Sequence, residues 1–171
     1  MDRARDEERD TARGEAPGTD GERHAGPGAR TPAVLSWLRL MRVYQRINAA
    51  SAQGLRSFGL SVGQFDVLAH LGSRRRTTQQ DLARSLLVTK GNVSQVVERM
   101  EAAGWVARCQ EGRTKFLDLT PAGKRLYRRA VPWQEAMVGR SFAALTPREQ
   151  EALADMMRRL ERGIGNEGRT T

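Results

Sequence analysis

The chain has little cysteine, histidine or aromatic content: one Cys, two His and nine Phe, Trp or Tyr residues in 171 positions. A single thiol, Cys109, excludes a disulfide within the chain and fits a reducing compartment. Two histidines and one cysteine do not make up a usual zinc site. The sequence also has no glycine-rich phosphate loop, no H-E-x-x-H and no G-x-S-x-G, so no metal, cofactor or enzymatic reaction is expected. No apolar run approaches the roughly 18 residues needed to span a bilayer. The N-terminus lacks the basic start and apolar segment of a secretion signal, and a cytoplasmic location is therefore expected. With so few aromatic side chains, aliphatic helix packing has to supply the core.

Basic charge is abundant and unevenly distributed. Lys and Arg number 29 against 20 Asp and Glu, a net charge of +9. Residues 1–32 hold six Arg and eight acidic residues, which leaves 23 basic and 12 acidic residues, net +11, for the rest. Residues 1–31 are rich in Gly, Pro, Arg, Asp and Glu and nearly devoid of large apolar side chains, so they read as a disordered tail. The acidic balance of that tail argues against its being a DNA-touching arm. Residues 32–171 are expected to form one domain whose charge suits DNA, RNA or an anionic membrane surface; charge alone does not choose among these.

The most informative stretch runs from Thr77 to Thr120. Thr78 precedes Gln79, Gln80 and Asp81 just before Leu82 and Leu86, the pattern of a capped short helix. Thr89 can cap a second helix whose Val93, Val96, Val97 and Met100 follow the i, i+3, i+4, i+7 spacing, with Gly104 placed to end it. Two such helices joined by Leu87, Val88 and Thr89 predict a helix-turn-helix. After it, Trp105 to Arg108 and Phe116 to Leu119 flank a polar tip at Gln110–Arg113, which predicts a small hairpin, a wing.

Five segments in this order carry a resemblance: TQQDLA at 78–83, TKGNVS at 89–94, EAAGWVAR at 101–108, EGRTKFLDLT at 111–120 and TPAG at 120–123. Together they resemble the winged helix-turn-helix regulators of the multiple antibiotic resistance (MarR) family. The resemblance implies a mainly α fold with an α+β wing, a winged helix-turn-helix lobe at 61–120 and long dimerisation helices at 32–59 and 121–165. It also implies a homodimer on double-stranded DNA, and a small, frequently aromatic or phenolic effector bound between the dimer helices and the lobe.

Face separates packing from function in the second helix. With Val93, Val96, Val97 and Met100 inward, Gly91, Ser94, Gln95 and Glu98 point outward, and Lys90 and Asn92 sit on the exposed first turn. Gln95 can contact adenine in bidentate fashion, Lys90 can reach guanine or phosphate, and Asn92 and Ser94 can serve either, each good bidentate pair adding roughly 1–3 kcal/mol of discrimination. Many family members carry Arg where Gln95 stands, which implies a different target. Thr78, Gln79, Thr89 and Arg99 complete the expected contact set around this helix. In relatives an Asp and an Arg two residues later brace the hairpin, and the Arg enters the minor groove. Here Arg113 is kept, Glu111 stands in place of Asp, and the preceding segment is shorter. Lys115 is expected on nearby phosphate. The alternative is that Arg113 only braces the turn.

The flanking segments read as helices. Val34, Trp37, Leu38, Met41, Tyr44, Asn48, Leu55 and Phe58 trace one apolar stripe ending near Gly59. Ser61 and Gln64 form a capping box for a helix to Gly72. Arg74, Arg75 and Arg76 then read either as a solvated turn or as phosphate contacts. Thr120 and Pro121 open a helix that Pro132 is expected to kink or interrupt. Thr146, Pro147 and Glu149 open the last helix, striped with Leu153, Met156, Met157, Leu160 and Ile164. Trp37, Met41, Phe65, His70 and Trp133 could line an effector pocket or be plain core and interface. Cys109 is expected to be a half-buried residue without redox chemistry.

The leading expectation is a sequence-specific, repressing regulator on a pseudo-palindromic operator. The alternative is a sequence-tolerant architectural DNA-binding protein without a ligand, which would not need Asn92, Ser94 and Gln95 facing outward.

Overall fold

The computed structural model describes residues 31–73 and 76–167, so all but the last residue of the expected tail at 1–31, and Arg74 and Arg75, lie outside the described residues. The elements are α1 (Pro32–Leu55), a 3-10 turn at Arg56–Phe58, α2 (Val62–Ser73), β1 (Thr77–Thr78), α3 (Gln79–Ser85), α4 (Lys90–Ala102), β2 (Val106–Glu111), β3 (Thr114–Leu119), α5 (Pro121–Ser141) and α6 (Pro147–Glu167). The three strands form one antiparallel sheet in the order β1-β3-β2.

Local chemistry sets most of the boundaries. At the start of α2, Gln64 Oε1 accepts from the Ser61 backbone N–H at 2.9 Å, and the Ser61 hydroxyl accepts from the Gln64 N–H at 3.2 Å, both halves of a capping box. Thr78, Thr89 and Thr120 cap α3, α4 and α5 by accepting from the N–H groups of Asp81, Asn92 and Gly123. Thr146 and Glu149 repeat the box at α6, and the Thr146 backbone N–H and hydroxyl, both donating to the Glu149 carboxylate, hold it below the usual carboxylate range. Gly112 opens the hairpin turn at φ 59°, a conformation glycine adopts without steric cost.

The core lies in the middle of the chain. Leu68 of α2, Leu82 of α3, Val93, Val97 and Met100 of α4, Val106, Leu117 and Leu119 of the sheet and Ala130 of α5 are all buried around it, joined by Leu55 at the end of α1. Three expectations need correction. The helix at 121–141 runs unbroken through Pro132, which is exposed; Ala130 and Met137 are buried on either side, and the acceptor it frees belongs to solvent-exposed Arg128. Cys109 is exposed rather than half-buried, because beyond Val106 the β2 strand projects from the body with no second layer over it. A further strand, β1, stands where only a helix start was expected.

The outer helices leave apolar residues in solvent. On α1, Val34, Leu35 and Trp37, and further along Leu40, Val43 and Tyr44, are exposed; on α6, Met156, Leu160 and Ile164 are 51%, 56% and 72% exposed. Among the described residues no helix is long and apolar enough to cross a membrane.

Gly54 shows how closely α5 approaches α1: a Cβ there would stand 1.9 Å from the Trp133 indole, whereas one on Gly139 would meet nothing within 4 Å. Gly54→Ala should therefore lower unfolding stability by about 1–3 kcal/mol through overpacking. Gly139→Ala should be neutral or stabilise by up to about 1 kcal/mol, both read by urea denaturation. Equal effects at the two positions would contradict this packing.

Candidate nucleic-acid interface

The helix-turn-helix is built by α3 and α4, connected through Leu86–Thr89, with Leu87 in the left-handed region at φ 54°. Val93, Val97 and Met100 are buried, and Val96 packs against the core from its edge. The opposite side presents Lys90, Gly91, Asn92, Gln95, Glu98 and Arg99 to solvent, with Ser94 half-buried. The Thr89 hydroxyl is used by the Asn92 N–H at 3.2 Å, so Thr89 positions the first turn of α4 rather than standing free. The Thr78 hydroxyl is likewise occupied, accepting from the Asp81 N–H at 3.1 Å and donating to its carboxylate at 2.6 Å.

A contact 15 residues apart in sequence joins the two helices: Gln79 Nε2 donates to Ser94 Oγ at 2.9 Å. Ser94 therefore accepts from inside the motif, leaving its own proton for an acceptor outside it. Sequence spacing gave no sign of this pair, because the turn geometry that brings α3 across α4 is tertiary.

The wing adds a second exposed basic group. β2 and β3 pair in register from Val106↔Leu119 to Glu111↔Thr114, so Gly112 and Arg113 form a two-residue turn at the tip. Arg113 and Lys115 are exposed and make no ion pair among the described residues. Gln110 Nε2 donates to the Gly112 carbonyl at 3.2 Å, and Arg108 pairs with Glu101 at 3.2 Å, tying the hairpin's base to the end of α4. Glu111 pairs with Arg76, not with Arg113. Arg76, read from the sequence as solvated or on phosphate, thus reaches across to the far end of β2. It does so from a left-handed backbone, φ 42°, a conformation that costs a non-glycine residue about 1–3 kcal/mol.

β1 connects the two halves of this face. Thr77 and Thr78 pair antiparallel with Leu117 and Phe116, and Thr78 is also the N-cap of α3. The start of the helix-turn-helix and the base of the wing are therefore one hydrogen-bonded unit.

The residues expected at an effector pocket have different surroundings. Phe65 is buried in the core, and Trp133 packs against Phe58 with ring centroids 5.7 Å apart. Trp37 is 59% exposed and Met41 is half-buried. His70 lines a cavity of about 410 Å3 with Asp66, Leu86, Tyr127, Val131 and Glu135, which Phe65 and Trp133 do not line. Among the described residues no group of three or more His, Cys, Asp or Glu side chains could hold a metal ion.

A chain with this order of elements has close relatives. Residues 58–115 match the MarR family model. An uncharacterized HTH-type transcriptional regulator of Bacillus cereus is 35% identical over 133 residues, which cover 77% of this chain and 90% of that protein. The chain belongs to the MarR family. It is a DNA-binding transcriptional regulator with a winged helix-turn-helix. The HTH-type transcriptional repressor Mb2911 of Mycobacterium bovis is 30% identical over 136 residues, 78% of this chain and 97% of that protein. Among solved MarR structures, the MarR family protein Rv2887 of Mycobacterium tuberculosis, in complex with DNA, superposes with a TM-score of 0.62 at 29% identity, covering 74% of this chain and 96% of that one.

The Gln79–Ser94 bond yields a direct check. In a double-mutant cycle on urea unfolding, Gln79→Ala and Ser94→Ala should be non-additive by about 0.5–1.5 kcal/mol, the usual contribution of one half-buried hydrogen bond. Additive losses would mean that the two side chains act independently.

Proposed function

We propose that this protein is a cytoplasmic homodimeric repressor that reads a pseudo-palindromic operator and is released by a small-molecule effector. The observation that carries the reading is the union, through β1, of two exposed polar groups. One is Lys90, Asn92 and Gln95 on the first turns of α4, and the other is Arg113 and Lys115 at the wing tip. An α4 N-terminus in the major groove would let Gln95 read adenine and let Lys90, Asn92 and Ser94 contact guanine or backbone. Gln79 would orient Ser94, while Thr78 and Thr89 fix the helix starts, and Arg99 would reach phosphate. Arg113 in the adjacent minor groove would favour A·T-rich flanks, where a narrow groove concentrates negative potential. Arg74 and Arg75 supply further phosphate contacts in this reading, and Arg76 holds the wing.

The division of labour follows. Residues 61–120 form the DNA-reading lobe, and residues 32–59 and 121–165 form the dimer. Support for the dimer comes from the exposed apolar side chains of α1 and α6, whose spacing on α6 at 156, 160 and 164 places three of them on one face. A twofold axis would set half-sites roughly 34–36 Å apart. Repression is supported by the mycobacterial relative that bears that name. The basic excess of the chain favours a second reading, sequence-tolerant DNA binding, which uses charge without the outward polar set on α4.

Selection of random duplexes against competitor DNA at near-physiological salt should enrich an inverted repeat with half-sites one turn apart. Arg113→Ala should weaken binding to it about tenfold or more and lower the salt slope by about one ion. Salt-sensitive binding without enrichment would establish the sequence-tolerant reading instead. For the dimer, Leu160→Asp with Ile164→Asp should convert a dimer of the full chain to monomer in sedimentation equilibrium. An unchanged mass would place the dimer contact elsewhere.

A further inference from the structure

A cavity of about 500 Å3 opens at the base of the wing, between the end of α2, the end of β3 and the first turns of α5. Leu71, Leu119 and Tyr127 give it an apolar side, and Arg76, Lys124, Arg128 and Asp118 give it a charged one. Lys124 and Arg128 are four residues apart on α5, so their cationic groups share a face and repel one another, and neither makes an ion pair among the described residues. The Asp118 carboxylate makes no ion pair with either among the described residues; it accepts from the Leu119 N–H at 2.7 Å. The lining thus carries Lys124 and Arg128 without ion-pair partners among the described residues, one carboxylate, Asp118, and Arg76, whose charge is met by Glu111.

We propose that this cavity binds a small phosphate monoester. A dianion matches the two unpaired cations, Lys124 and Arg128, more fully than a single carboxylate does, and a guanidinium meets phosphate oxygens in bidentate geometry. The phosphate would lie between Lys124 and Arg128 within reach of Arg76, with its organic part on Leu71, Leu119 and Tyr127. The site is coupled to the wing because Arg76 belongs to both: it lines the cavity and pairs with Glu111 at the end of β2. That pair is half exposed, 47% and 52% for the two side chains, and pairs so exposed are weak. A dianion in the cavity therefore competes with Glu111 for Arg76, and its binding unties the wing end from the body. Binding itself is independent of the operator reading. Its consequence for DNA affinity rests on the wing's proposed role.

The test is titration calorimetry of the full chain with phenyl phosphate at about pH 8, where a phosphate monoester is a dianion. Saturable one-site binding is expected, with inorganic phosphate weaker and benzyl alcohol, which lacks the anion, silent. Lys124→Ala with Arg128→Ala should weaken phenyl phosphate about tenfold or more while leaving the melting temperature within a few degrees, since both side chains are exposed. Glu111→Gln, which removes the competitor for Arg76, should bind phenyl phosphate several-fold more tightly than the unaltered chain. No saturable binding, equal affinity in the double variant, or equal affinity in Glu111→Gln would each overturn the proposal. Loss of DNA affinity in the double variant without any phenyl phosphate binding would assign these cations to the DNA backbone instead.

Discussion

The arrangement of the DNA-reading lobe depends on two residues of strand. Thr77 and Thr78 pair with Leu117 and Phe116 of the wing, and the Thr78 hydroxyl caps the helix that immediately follows. A backbone ladder and a helix cap at adjacent positions leave little freedom between the base of the wing and the start of α3. The Gln79–Ser94 bond then carries that fixed position on to α4, and the Arg108–Glu101 pair returns it to β2. The exposed polar groups of α4 and the wing are thus held by a closed circuit of contacts. Long side chains presented from a rigid frame lose less freedom on binding than those carried by a mobile loop.

Much of this was legible in the sequence where the determining physics is local. Helix starts at Ser61, Thr78, Thr89, Thr120 and Thr146 follow from side-chain oxygens three residues ahead of an unsatisfied amide, a relation the chain displays directly. The buried face of α4 follows from helical period, and the hairpin from a polar tip between apolar runs. What the sequence concealed is tertiary. A two-residue strand has no periodicity to detect, so β1 was unreadable. The partner of Glu111 sits 35 positions away at Arg76, and no local rule selects it over Arg113, two residues on. Cys109 was misjudged because its neighbours in sequence are strand-like, yet only the Val106 end of β2 is covered. Phe65 and Trp133, large side chains at helical spacing, lie in the core and in the slot above Gly54, the plain packing role that such spacing also allows.

Charge and apolar surface divide the molecule's tasks. Among the described residues, Lys90, Arg99, Arg113, Lys115, Lys124 and Arg128 put basic groups without ion-pair partners on α4, the wing and the first turns of α5; α1 and α6 also carry such groups, Arg39, Arg42 and Arg159 among them, and hold most of the uncovered large apolar side chains. The first kind of surface is suited to a polyanion, with counterion release as its driving term. The second is costly in water and is relieved by burial against another apolar face. A dimer that covers the second while presenting two copies of the first is the arrangement in which both surfaces are used.

The most direct measurement uses the single exposed cysteine. Cys109 lies on the outer part of β2, close to the wing tip, and can carry an iron chelate that cleaves DNA locally. On an enriched duplex, the account predicts two cleavage patches in the minor groove, symmetric about the dyad and flanking the two major-groove sites of α4. A single patch, or cleavage spread evenly along the duplex, would contradict the placement of the wing and the twofold arrangement together.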